Sequence, residues 1–167
     1  MNNLIICGFM GAGKTTLGIK LAEHFGMQFI DTDCEIVKRE NRTIADIFAT
    51  DGEPYFRKLE TELIKELGRQ KNLVISLGGG LAANKDNHKY LKAAGKVILL
   101  DCGIDVTLER ITGDSTRPLT AGGREDIVAR YNMRKPIYEE VADIIVDSSA
   151  DEKRTFLTAV SAIEDIL

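Results

Sequence analysis

Near its start the chain carries a run of residues with the composition of an anion cradle. Gly8-Phe9-Met10-Gly11-Ala12-Gly13-Lys14-Thr15 fits the pattern G-x-x-x-x-G-K-[ST] without a mismatch. Glycines in such a loop let the backbone fold back until several N–H groups point at one anion. Lys14 supplies a point charge for the outer phosphates, and the Thr15 hydroxyl is placed to ligate Mg²⁺. The stretch Gly11, Ala12, Gly13, Lys14, Thr15 and Thr16 is therefore expected to hold the phosphates of a nucleoside triphosphate.

Acids and arginines further along could complete a site. Asp31-Thr32-Asp33 follows an apolar run. If that triplet is extended, both carboxylates face the same side, one for Mg²⁺ through water and one for a hydroxyl. Arg57 and Glu60 lie three apart on one helix face; taken alone they would be a surface ion pair of little worth. Val97-Ile98-Leu99-Leu100-Asp101 has the form of a metal-binding strand end, but the form is common and an ordinary strand end is the preferred reading. Asn84-Lys85-Asp86-Asn87 ends in Asn where a guanine base needs a carboxylate, and no apolar strand precedes it. Phosphate binding by itself leaves kinase, ATPase and nucleotide switch open.

Elements that could position these groups alternate along the chain. Strands are expected at Asn3–Cys7, Met27–Ile30, Leu73–Ser76, Lys96–Asp101 and Ile144–Val146. Helices are expected at 16–25, 35–40, 43–48, 54–67, 85–94, 106–111, 124–141 and 152–167. Thr43 and Asp46 form a capping-box-like start, Pro54 suits a first helical turn, and Pro136 should kink or interrupt its helix. Alternation of this kind implies a parallel sheet covered on both faces, with ligands at the carboxyl ends of the strands. The glycine loop, Asp31 and Asp33, Gly78 to Gly80 and Asp101 all follow strands, so they should converge on one edge.

Bulk properties narrow the partners. The 167 residues suit one domain, with no repeat, linker or low-complexity tract. A net charge of −4 argues against a broad basic face and so against nucleic acid. Cys7, Cys34 and Cys102 are far apart and no C-x-x-C occurs, which suggests neither disulfides nor zinc. Cys7 and Cys102 read as packing residues, and Cys34, next to the acidic triplet, as either packing or a lining of the site, with packing preferred. No signal peptide, lipidation motif or apolar run of about 18 residues is seen, so no membrane association and a cytoplasmic location are expected.

Taken together, Gly8 to Thr15, Asp31-Thr32-Asp33, Ile44-Ala45-Asp46-Ile47-Phe48, Phe56-Arg57-x-x-Glu60, Gly78-Gly79-Gly80, Arg117-Pro118-Leu119 and Arg134-x-Pro136-x-Tyr138 resemble the shikimate kinase family in order and spacing, over nearly the whole chain. The resemblance implies a three-layer α/β/α P-loop kinase fold with a five-stranded parallel sheet and a mobile lid. One domain would span 1–167, with an acceptor-binding segment near 32–60 and the lid near 112–123. It implies ATP as co-substrate with Mg²⁺, shikimate as acceptor, and transfer of the γ-phosphoryl group to its 3-hydroxyl in aromatic amino-acid biosynthesis; a monomer is expected. By motif, Asp33, Arg57, Gly79, Gly80 and Arg134 would hold shikimate, Phe48 and Phe56 would wall its pocket, and Glu60 would orient Arg57. Lys14, Thr15 and Asp31 would serve ATP and magnesium, Arg117 would act from the lid, and Arg110 would contact the base. Catalysis would rest on Lys14, Arg117 and Asp33, the last orienting or deprotonating the hydroxyl. The family's proline after the fifth strand is missing; Asp147-Ser148-Ser149-Ala150 stands there. A gluconate kinase is the nearest rival, and an idle nucleotide-binding module is the rival from another class.

Overall fold

The computed structural model describes residues 2–113 and 122–166. Five strands, β1 (Asn3–Cys7), β2 (Gln28–Asp31), β3 (Leu73–Ser76), β4 (Gly95–Asp101) and β5 (Ile144–Asp147), form one sheet in the order β2-β3-β1-β4-β5. Every pairing is parallel. The helices are α1 (Lys14–Phe25), α2 (Thr32–Glu40), α3 (Ile44–Asp51), α4 (Glu53–Leu67), α5 (His88–Ala94), α6 (Ile104–Thr112), α7 (Gly123–Val141) and α8 (Glu152–Glu164).

The central strand shows why the layers form. All of β1 is buried, and its side chains alternate between two cores: Ile5 and Cys7 face one, Leu4 and Ile6 the other. The first core packs residues of α2 to α7 and the second those of α1 and α8, so the sheet is covered on both sides. Helix α1 comes very close, because Gly18 leaves room for Phe29; a Cβ there would sit 2.5 Å from the ring. At the amino ends of the strands, fully buried Asn3 accepts from Leu73 N at 3.1 Å and donates to Gln70 O at 2.9 Å and Ala94 O at 3.1 Å. This side chain fixes β1 against both of its neighbours.

Three expectations need correction. Helix α2 begins at Thr32 with Asp31 as its N-cap, so Asp33 lies in a first helical turn and not in an extended stretch. Of the two outcomes expected at Pro136, the interruption does not occur, since α7 runs through it. The segment 85–94 divides into a 3₁₀ turn at Lys85–Asn87, capped by Asn84, and α5. Of the expected lid, residues 114–121 lie outside the described residues, Arg117 among them.

Candidate active site

The glycine loop leaves β1 at Gly8, where a Cβ would strike the carbonyl oxygen of Leu100 on β4. Gly13, at φ 93°, is the N-cap of α1, and no side chain caps that end. The first N–H groups of α1 are thus left to a ligand, on the positive end of the helix dipole. Lys14 Nζ reaches back to Gly8 O at 2.9 Å and Phe9 O at 3.1 Å, which holds the loop in its curve. Thr15 Oγ1 lies 3.4 Å from Asp31 Oδ2, while Asp31 Oδ1 accepts from Cys34 N at 3.0 Å. The cap thereby aims one carboxylate oxygen at the Thr15 hydroxyl. A hydroxyl and a carboxylate are hard oxygen donors, and they suit a Mg²⁺ ion that draws its other ligands from phosphates and water.

Across the same cavity sits a second group of charged side chains. The Thr32 hydroxyl, fully buried, accepts from Gly78 N at 3.0 Å and so ties the start of α2 to the chain after β3. That tie lays the Asp33 carboxylate against Gly78, where a Cβ would come within 2.9 Å of Asp33 Cγ. Burial, and then the neighbouring Asp31, raise the Asp33 carboxyl above its usual range; Lys14 and Arg57 pull the other way.

Arg57, on α4, is held from two sides. Its Nε and Nη2 donate to Glu53 Oε1 at 3.2 and 3.0 Å, and its Nη1 donates to Glu60 Oε1 at 2.5 Å. Glu60 is only 1% exposed, so the pair is not the surface contact that its spacing alone suggests. Burial pushes its carboxyl up to about 7 against the opposing pull of Arg57, and Oε2 has no hydrogen-bond partner among the described residues. The guanidinium of Arg57 occupies the space a Cβ on residue 80 would need, which accounts for Gly80. Arg134, from α7, sets Nη1 3.1 Å from where a Cβ of residue 79 would be, and Tyr138 OH donates to Gly79 O at 2.5 Å. Phe56 is buried and Phe48 is 40% exposed; their rings meet edge to face at 5.1 Å.

Together these groups line a cavity of about 540 Å³ that holds Lys14, Thr15 and Asp31 at one end and Asp33, Arg57, Glu60, Gly79, Gly80 and Arg134 at the other. Gly11, Gly13, Thr16 and Arg110 lie on its border with a second cavity of about 320 Å³, lined also by Ala12, Lys20, Ser148 and Asp151. Arg110 bridges the two loops there, donating to Gly11 O at 3.0 Å and to Ser148 O at 2.6 Å. Phe48 lies beside Phe56 and not on the cavity wall itself.

Some outcomes could not be read from residue type. Thr32 has no role in the sequence reading; the helical start of α2 buries its hydroxyl against Gly78 N. Cys34 is exposed, not a packing residue, whereas Cys7 and Cys102 are buried as expected. Asp101 is committed elsewhere: its Oδ1 accepts from Tyr131 OH at 2.9 Å and from Gly103 N at 3.1 Å, and Lys135 Nζ lies 3.6 Å from Oδ2. Glu53, Tyr131 and Tyr138 were given no role; only Tyr138 lay in a motif.

The cavity thus pairs a phosphate cradle with two guanidiniums and a partly desolvated carboxylate, the groups needed to bring a phosphoryl donor to a small hydroxy acid. Comparison with known proteins points the same way. A family model described as shikimate kinase matches residues 10–164. A shikimate kinase of Persephonella marina is 45% identical over 89% of this chain and 90% of its own length. The structure of the shikimate kinase from Acinetobacter baumannii in complex with shikimate superposes with a TM-score of 0.87 at 34% identity, covering 99% of this chain and 93% of that one. A gluconokinase from Sinorhizobium meliloti, at 16% identity and a TM-score of 0.68 over 99% of this chain and 93% of that one, shares the fold alone.

Proposed function

We infer the roles of individual residues from one premise: the chain belongs to the shikimate kinase family. It is a phosphotransferase that uses ATP and acts on a hydroxyl of shikimate. The observation that carries the residue assignment is the single cavity running from Lys14 to Arg134.

In this reading the triphosphate lies over Gly11 to Thr16, with Lys14 on the outer phosphates and the base in the second cavity, beside Arg110. Arg110 reaches the base region as a bracket between the glycine loop and Ser148, a geometry that requires no proline there. Arg57 and Arg134 take the shikimate carboxylate, because planar forks match it with paired hydrogen bonds. Glu53 and Glu60 fix the Arg57 fork before the substrate arrives. Phe56, backed by Phe48, covers the apolar face of the ring.

Asp33 faces the 3-hydroxyl. As that oxygen forms its bond to the γ-phosphorus and the bond to the β-phosphate oxygen breaks, the hydroxyl proton passes to an Asp33 oxygen. A carboxyl raised by burial is the better acceptor at neutral pH. Thr15 and Asp31 would hold Mg²⁺, which would supply positive charge against the negative charge that develops on the transferring phosphoryl group. We assign residues near 32–60 to acceptor binding and those near 112–123 to a lid that brings Arg117 to the γ-phosphate and excludes water. Among the described residues no helix is long and apolar enough to cross a membrane. We read the protein as a cytoplasmic monomer with no nucleic-acid partner, in keeping with its net charge of −4.

A coupled ADP-release assay with shikimate, gluconate or no acceptor tests the assignment. Shikimate should be used far faster than gluconate, and removal of Mg²⁺ should abolish turnover. Preference for gluconate, or release of ADP independent of acceptor, would overturn it.

A further inference from the structure

Helix α7 presents Arg134 to the acceptor, yet at that turn it is poorly able to hold itself in place. Pro136 has no N–H, so the carbonyl of Asn132 loses its helical donor, and Arg134 lies midway between the two. The helix also starts on Gly122 and Gly123 with no side-chain cap. Something outside the helix must set its rotation and height. Two tyrosines on the same face do this, one on each side of Arg134. Tyr138 donates to Gly79 O at 2.5 Å, beside the site; Tyr131 donates to Asp101 Oδ1 at 2.9 Å, at the end of β4.

The second anchor is built on the sheet. Asp101 pairs with Asp147 in the β4–β5 register, and Gly103 N at 3.1 Å fixes the carboxylate from its own turn. The Tyr131 ring, 6% exposed, packs edge-on against Phe9 of the glycine loop, with centroids 5.5 Å apart. Burial and the Asp101 carboxylate hold the phenol of Tyr131 above its ordinary range, so it stays a donor at every pH of use. Neither residue is on the wall of the main cavity.

We propose that Asp101 and Tyr131 form a positioning pair that sets Arg134 for the acceptor carboxylate and ties that setting to the glycine loop through Phe9. The inference rests on the reading of Arg134 as a carboxylate-binding residue. It gives Asp101 a task that requires no metal and no contact with substrate.

The test compares kinetic constants of the full chain with Tyr131→Phe, Asp101→Ala, Asp101→Asn, Arg134→Lys and the double variant Tyr131→Phe/Arg134→Lys. Tyr131→Phe keeps the ring on Phe9 and removes only the hydroxyl. It should raise KM for shikimate by about 10-fold, the size of one lost charge-assisted hydrogen bond, with KM for ATP changed by less than about 2-fold. Asp101→Ala should do the same, while Asp101→Asn, which keeps an acceptor for both Tyr131 and Gly103, should stay within about 3-fold of the parent. In the Arg134→Lys background, Tyr131→Phe should add less than about 2-fold, because no fork remains to be aimed. A role in general stability would move both KM values alike and would persist in the double variant; either result overturns the proposal. If Arg134→Lys raises KM for shikimate and Tyr131→Phe does not, the positioning pair is refuted and the carboxylate reading stands. If Arg134→Lys itself leaves KM for shikimate unchanged, the carboxylate reading falls, and this inference falls with it.

Discussion

Replacing Glu60 by Gln should change how the stability of the protein depends on pH. Burial of this carboxyl raises it from 4.5 to about 7, even with Arg57 Nη1 at 2.5 Å. Between those values the folded state binds a proton that the unfolded state has lost, so stability falls as pH rises. Below the unfolded value the contribution is fully present; above the folded value it is gone. At about 1.4 kcal/mol per unit, the total is roughly 3 kcal/mol. Gln has the same shape and cannot ionise, so its curve lacks this component. Its amide nitrogen, if placed where Oε2 now has no partner, costs about 1–3 kcal/mol at every pH. The variant should therefore be the less stable protein near pH 5 and should match or exceed the parent near pH 8. Urea unfolding at intervals from pH 5 to 8 reads this directly, since groups common to both proteins, Asp33 included, largely cancel in the difference. A difference that moves by less than about 0.5 kcal/mol across that range, within the usual error of additivity, would show that Glu60 is already ionised without penalty.

Other perturbations have separable signatures. Gly80→Ala puts a Cβ on the Arg57 guanidinium and should raise KM for shikimate by at least about 10-fold, with KM for ATP and the unfolding midpoint little changed. Asn3→Ala removes the side-chain hydrogen bonds to Leu73 N and to the Ala94 and Gln70 carbonyls; unfolding should become easier by about 3 kcal/mol, with kinetic constants intact in the protein that remains folded. Arg117→Ala should lower kcat by about 10²- to 10⁴-fold while shikimate binding without nucleotide barely changes; a loss of less than about 3-fold would rule out a charge-stabilising lid arginine.

Legibility of the sequence varied with how local the cause was. The glycine loop could be read because its chemistry, its strand and its helix are contiguous from Asn3 to Phe25. The five strands and the convergence at their carboxyl ends followed from alternation, which records burial on both faces. Asp31 and Asp33 were found for a partly wrong reason, since both face the cavity through a helix cap and not through strand periodicity. Glu60 and Arg57 show the limit more sharply: spacing puts them on one face, but only the packing of α4 says that this face is inside. The tasks of Thr32, Asp101 and Tyr131 depend on partners 30 or more positions away, at Gly78 for the first and on each other for the other two, and no local pattern encodes that.

The order of the strands bears on how the chain is made. Of the five strands of this sheet, the one synthesised earliest, Asn3–Cys7, is the central one, and its partners begin at Leu73 and Gly95. Its flanking anchors, Leu73 N and Ala94 O, are equally late. At roughly 5–20 residues per second, a nascent chain carries this unpaired apolar segment for several seconds before any neighbour exists for it. Pairings so distant in sequence also make folding slow once synthesis is complete. The segment that anchors the finished sheet is thus the one most exposed to misassociation while the protein is young, and an early chaperone contact would fall on Leu4, Ile5 and Ile6.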